Sequence, residues 1–164
     1  ATVEAYTYPP EFAECDGSVE IVPGMFAGQQ SRKMFGMAYR TILGNDVDNN
    51  DYGYKLHLIY GALAAPSEKG YSTINDSPEP ISLSWELTTT PVAINTVIDG
   101  KKLKPTACLT FDSTKFDKAF MEKLEDILYG TNPTTEDAAD GTEARLPLPD
   151  EILKLYQEST AAAG

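Results

Sequence analysis

Histidine occurs once in this 164-residue chain, as His57. Metal centres built on two or three imidazoles are thereby excluded. A Ser-His pair would have to use His57, yet no Gly-x-Ser-x-Gly elbow accompanies it, and in the middle of an alternating segment it reads as a plain sheet residue. Cysteine is nearly as scarce. Cys15 and Cys108 allow at most one disulfide, whose geometry a sequence leaves open; both read as buried free thiols, in keeping with synthesis in a reducing cytoplasm. Long apolar runs are missing too. No stretch nears the roughly 18–20 residues needed to cross a bilayer, and no basic start followed by an apolar run marks a signal peptide. Basic residues are outnumbered, 13 against 25 acidic, for a net charge of −12. Phosphate backbones are held by clustered Lys and Arg that release counterions; no such block is present, which argues against specific nucleic-acid binding.

The remaining chemical motifs are incomplete. Asp46-x-Asp48-x-Asn50 matches the first ligand positions of a calcium loop, but Asp51 stands where glycine is required and His57 where a bidentate Glu is required. The glycines are scattered singly and form no phosphate-cradling loop. Paired carboxylates spaced for glycoside chemistry carry no specificity in so acidic a chain. Tyr6, Tyr8 and Trp85 could line a sugar platform, but Trp85 alternates with Ile81, Leu83 and Leu87 and belongs to a core, while Tyr6 and Tyr8 stay open. No catalytic, cofactor or metal residue is assigned, no cofactor is expected, and the chain reads as a non-enzyme.

What is present is β-patterning, enough for one compact domain over 1–164. Residues 2–8 are rich in β-branched and aromatic residues and stop at Pro9-Pro10. Asp16-Gly17 marks a turn, 18–22 a weak strand ending at Pro23-Gly24, and 34–43 a strand in which Gly36 hints at a close approach. Residues 44–53 read as a polar loop. In 54–63, Leu56, Leu58 and Tyr60 face one way and Lys55, His57 and Ile59 the other. A turn over 66–70, a half-buried strand over 81–89, and a hairpin pairing 92–98 with 104–111 through Asp99-Gly100 follow. The period then changes to 3.6: Phe116, Phe120, Leu124 and Ile127, widened by Ala119 and Leu128, predict a core-facing helix over about 114–129. Ser113 or Thr114 would cap it, and Gly130 would end it in the left-handed conformation. Residues 131–145 form an acidic loop expected to be mobile. Asp150 caps a short helix over 151–157, and 158–164 reads as a frayed tail. The expected class is mostly β with one or two α-helices (α+β).

Several stretches resemble the major tail proteins, or tail-tube subunits, of long non-contractile phage tails from phages and prophages of Gram-positive bacteria. They are Glu4-Ala-Tyr-Thr-Tyr-Pro-Pro-Glu-Phe-Ala-Glu-Cys-Asp-Gly17, Tyr39-Arg-Thr-Ile-Leu-Gly-Asn-Asp46, Tyr54-Lys-Leu-His-Leu-Ile-Tyr-Gly-Ala-Leu-Ala-Ala-Pro66, Asn75-Asp-Ser-Pro-Glu79, Ser84-Trp-Glu-Leu-Thr-Thr-Thr-Pro91, Leu128-Tyr-Gly-Thr131 and Leu146-Pro-Leu-Pro-Asp150. The resemblance implies a tail-tube β-sandwich or barrel with a flanking helix. It also implies a virion location after synthesis in the bacterial host cytoplasm. Its partners would be further copies of itself in hexameric rings stacked into a tube, and other tail proteins; no membrane is involved. An acidic lumen would let DNA pass without specific binding, since like charges repel. Family members usually carry a further stretch before the equivalent of Ala1, so a missing N-terminal segment is expected, the alternative being a natural short homologue.

Assembly directs attention to surfaces. The loop 44–53 is expected to bridge subunits, and open strand edges to pair with neighbours. The alternative reading is a secreted carbohydrate-binding β-sandwich module using Tyr6, Tyr8 and a calcium loop begun by Asp46-x-Asp48-x-Asn50, whose glycan binding would depend on calcium.

Overall fold

The computed structural model describes residues 1–65, 82–134 and 140–161. In chain order they form β1 (Thr2–Ala5), a 3-10 turn (Pro10–Phe12), α1 (Ala13–Asp16), β2 (Val19–Val22), β3 (Met25–Ala27), β4 (Phe35–Asn45), β5 (Asn49–Ala64), β6 (Leu83–Thr89), β7 (Val97–Ile98), β8 (Lys101–Lys102), β9 (Cys108–Asp112), α2 (Lys118–Tyr129) and α3 (Pro149–Ala161). The fold is mostly β with short helices and antiparallel sheets, in the α+β class that the patterning predicts. Two compact units are present: Ala1–Phe35 with Gly61–Thr90, and Gly36–Tyr60 with Pro91–Gly164. The expected turn over 66–70, residue Ile81, the middle of the acidic loop (135–139) and the last three residues lie outside the described residues.

The second unit is organised by β5. Its alternation buries Leu56, Leu58 and Tyr60 and leaves Lys55, His57 and Ile59 on the other face. β9 runs antiparallel beside it, pairing Leu56 with Phe111 and Leu58 with Leu109, and β4 is its neighbour through a tight hairpin. Phe120, Met121, Leu124 and Leu128 of α2 and Ile152 of α3 close over this face. Each such side chain contributes roughly 1.5–3 kcal/mol on burial. Phe111, Phe116, Phe120 and Tyr156 pack ring against ring, with centroids 5.0 to 6.4 Å apart.

Several boundaries differ from those expected. The segment 44–53 is mostly strand: only 46–48 turns, because the Asn45 side-chain oxygen accepts the N–H groups of Val47 and Asp48 at 2.9 and 2.5 Å and Asn49 takes φ +51°. Residues 104–111 do not pair with 92–98. β7 pairs with β8 instead, Val97 with Lys102 and Ile98 with Lys101, across Asp99 and Gly100 at φ +50° and +74°, the signs a two-residue hairpin turn needs. β9 is taken by β5 because Leu109 and Phe111 continue the buried face; a single bridge, Val92 to Thr106, remains of the expected pairing.

Helix α2 begins at Lys118, not near 114. Asp112 accepts the Thr114 N–H and hydroxyl at 3.1 and 2.6 Å, which holds 112–115 in a turn. Asp117 occupies the N-cap position without a side-chain cap bond. Ala119 lies on the exposed side and Met121 takes its place in the buried stripe. Gly130 has φ +72° with ψ 169°, positive but not left-handed helical, and a Cβ there would lie 2.4 Å from the Thr142 carbonyl oxygen. Helix α3 starts at Pro149, the residue whose missing N–H costs nothing at a helix start, and continues to Ala161 rather than fraying at 158. Asp150 is therefore inside the helix, and its carboxylate accepts the Asn95 N–H and side-chain amide at 3.0 and 2.7 Å. The ends of the acidic loop are tied by the reciprocal Thr131–Thr142 bridge at 3.0 Å, and Asp140 accepts from the Thr134 hydroxyl at 2.6 Å.

In the first unit β1 lies antiparallel to β6, pairing Val3 with Trp85, and the end of β5 pairs Ala64 with Leu87 on the other side of β6. Trp85 is buried as its alternation predicts. It donates Nε1–H to Asp16 Oδ1 at 2.7 Å and meets Tyr8 and Phe12 edge-on at 5.6 and 5.2 Å. Neither cysteine is fully buried: Cys15 is half-buried and Cys108 exposed, both as free thiols. Burial, and next the Glu14 carboxylate, raise the Cys15 thiol above its ordinary value.

Gly61 marks a change of partner along β5. Tyr60 N–H still reaches the Ala107 carbonyl at 2.9 Å, whereas the Gly61 carbonyl accepts from Thr90 N–H at 2.9 Å. Gly61 has φ +56°, and a Cβ would sit 2.4 Å from the Thr90 carbonyl oxygen. Gly61→Ala is expected to cost about 1–3 kcal/mol in urea unfolding from positive-φ strain, and Leu124→Ala about 2–5 kcal/mol from its cavity. Ile42→Ala, at a 67% exposed position, should change stability by less than about 0.5 kcal/mol; an equal loss at all three positions would refute this placement of the core.

Candidate assembly surfaces

The chemistry-bearing side chains are engaged structurally. His57, on the face of β5 opposite the core, meets the hydroxyl of Thr41 at 2.9 Å through Nε2 and that of Thr110 at 3.1 Å through Nδ1. Its ring stacks on Tyr39 with centroids 4.7 Å apart. The imidazole is thus a rung across three strands, with a hydroxyl at each nitrogen and, among the described residues, no carboxylate bonded to it. Asp48 accepts from the Asn45 amide at 3.0 Å, so the Asn45 side chain closes the 46–48 turn, and Asn50 already lies in β5. Among the described residues no three His, Cys, Asp or Glu side chains converge as a metal site would require. Tyr8 is half-buried in the aromatic cluster with Phe12 and Trp85, while Tyr6 is 73% exposed.

Two phenols are strongly perturbed. Tyr54 Oη donates to Glu125 Oε1 at 2.5 Å, Glu125 pairs with Arg40, and the Arg40 guanidinium lies 4.5 Å above the Tyr54 ring. Burial, then the bond to Glu125, push the Tyr54 hydroxyl up to about 12. Tyr60 Oη donates to the Pro147 carbonyl at 2.9 Å, fastening the 146–149 segment over the core, and burial pushes its hydroxyl up to about 12 as well.

The unusual property lies in the exposed apolar residues. Every large apolar residue of β2 and β3 is open to solvent: Val19, Ile21, Val22, Met25 and Phe26. The strands form a two-stranded hairpin turned at Gly24, φ +86°, where Glu20 accepts the Gly24 N–H at 2.7 Å. Between this hairpin and α1 lies a cleft of about 730 Å³ lined by Tyr8, Pro10, Glu14, Val19, Glu20 and Phe26. The β7–β8 hairpin likewise exposes Val97, Ile98 and Leu103, interleaved with Lys101, Lys102 and Lys104. Tyr39, Ile42 and Tyr52 are exposed on β4 and β5. β1 and β4 each pair on one side only among the described residues, so both present edges. The sequence signals β2 only by a weak alternation over 18–22, blurred because Ile21 and Val22 are adjacent; it does not announce that these apolar side chains stay exposed. Lys101–Lys104 is too short to register as a basic block.

No protein-family model, curated protein or solved structure matches the chain.

Because the folded state holds Tyr54 and Tyr60 as neutral phenols above pH 10, where the unfolded chain ionises them, the unfolded state binds fewer protons between pH 10 and 12. The stability that these phenols contribute is complete below pH 10 and falls as pH rises toward 12. For Tyr60 the loss is on the order of 3 kcal/mol. Urea midpoints measured from pH 9 to 12 should show this decline, and Tyr60→Phe should flatten part of it; an unchanged slope in that variant would contradict the burial of the phenol.

Proposed function

We propose that the chain is a structural subunit that assembles with copies of itself, as the tube subunit of a long phage tail. The observation carrying this reading is the β2–β3 hairpin, whose large apolar residues all face solvent. Contiguous apolar surface of that kind marks interaction sites, and a lone two-stranded hairpin is only marginally stable until something packs on it. The single-sided edges of β1 and β4 add backbone groups that a neighbour's strand would satisfy. Self-association into rings, six-membered by the family resemblance, would cover these surfaces, and other tail proteins would cap the stack. The net charge of −12 supports passage of DNA along a lumen without adhesion. In this role the protein resides in the virion and catalyses no reaction.

Negative-stain electron microscopy of the concentrated chain is the test. Rings or tubes are expected from the wild type and lone particles from Ile21→Asp/Phe26→Asp, with the thermal midpoint of the monomer shifted by no more than a few degrees. Lone particles from the wild type at every concentration would count against assembly and send the protein to glycan arrays instead.

A further inference from the structure

The two exposed hairpins are chemically unlike and complementary. Residues 1–31 carry Glu4, Glu11, Glu14, Asp16 and Glu20 and no Lys or Arg. Two of these carboxylates, Glu14 and Glu20, line the cleft beside β2–β3, whose remaining walls are mostly apolar, Tyr8, Pro10, Val19 and Phe26 among them, with Ser18 the other polar residue. Glu14 pairs with Lys33; Glu20 has no cationic partner among the described residues. The β7–β8 hairpin reverses this arrangement. Its paired residues set an apolar side chain beside a cation, Val97 with Lys102 and Ile98 with Lys101, and Leu103 and Lys104 follow. None of the three lysines makes an ion pair among the described residues.

We propose that the β7–β8 hairpin of one copy docks against the β2–β3 hairpin and its acidic cleft on a second copy. The inference rests on the self-assembly reading and names the contact that would carry it. Two copies of a chain with net charge −12 repel at long range, so association gains most in orientations that set a cationic cluster against an anionic one. Lys101, Lys102 and Lys104 form the densest such cluster in the chain, and apolar residues border the charges on both sides. Opposite charges of this kind fix register and steer encounter, while the apolar area supplies the driving force. Since the two patches differ, the contact is heterologous. The dimer keeps one unused patch of each type, one on each copy, and association propagates past the dimer.

The test is charge reversal followed by mixing, read by light scattering and sedimentation velocity on the full chain. Lys101→Glu/Lys102→Glu/Lys104→Glu and Glu14→Lys/Glu20→Lys should each weaken association on the order of tenfold or more, bringing the mass down toward the 17.9 kDa monomer. An equimolar mixture of the two variants should recover assemblies, because every contact then again joins opposite charges. Assembly of either variant alone at wild-type strength, or no recovery on mixing when both variants show the wild-type circular dichroism spectrum, overturns the pairing. A wild type that stays monomeric fails the self-assembly reading itself; a wild type that assembles while the variants are unaffected fails only this contact. Should a variant not fold, carbodiimide coupling of mixed isotope-labelled and unlabelled wild type decides. Intermolecular links from Lys101, Lys102 or Lys104 to Glu14 or Glu20 support the contact, and assemblies without them refute it.

Discussion

The strict alternation of β5 is the constraint on which the larger unit depends. Leu56, Leu58 and Tyr60 place their side chains on one face because successive residues of a strand point to opposite sides. Everything else in that unit follows from covering them. β9 contributes Phe111 opposite Leu56, α2 and α3 supply the lid, and the Tyr60 hydroxyl anchors the segment leading into α3. A shift of register by one residue would turn His57 and Lys55 inward, where neither would find a partner for its polar atoms. The alternation continues through Ala62 and Ala64, both buried, even though the strand changes its hydrogen-bonding neighbour at Gly61.

The polar face opposite follows the same logic. His57 is held between the hydroxyls of Thr41 and Thr110; at the rim of the core face, Tyr54, which packs against the core, joins Glu125 of α2 and Arg40 in a compact charged cluster. These groups meet one another's hydrogen-bonding demand. The surfaces with unmet demand are apolar. They sit on the two small hairpins, whose strands are too short to bury their own Val, Ile and Phe side chains.

Where a physical period was present, the sequence was legible. The alternation in β5 and β6 located Leu56, Leu58, Tyr60, Trp85 and Leu87, and the 3.6-residue period located Phe120, Leu124 and Leu128. Boundaries depended on local hydrogen bonds that no period announces. Asp112 captures Thr114 and delays α2, and Asn45 folds the 46–48 turn and converts a presumed loop into strand. Partner choice was the least legible: β7 and β9 are equally plausible strands, and only the depth of the core beneath β5 decides which one it takes. The hairpin surfaces left only a weak periodic trace, over 18–22, because a two-stranded ribbon with no buried face imposes no strict alternation.

The three-residue turn between β4 and β5 also has a kinetic consequence. Loop-closure entropy grows with the length of chain enclosed, and this hairpin encloses almost none. By contrast, β5 meets β9 across the whole interval from His57 to Thr110. The cheap local ribbon is the natural template on which the distant strand condenses, and the slow step of folding is the search by which β9 finds its edge.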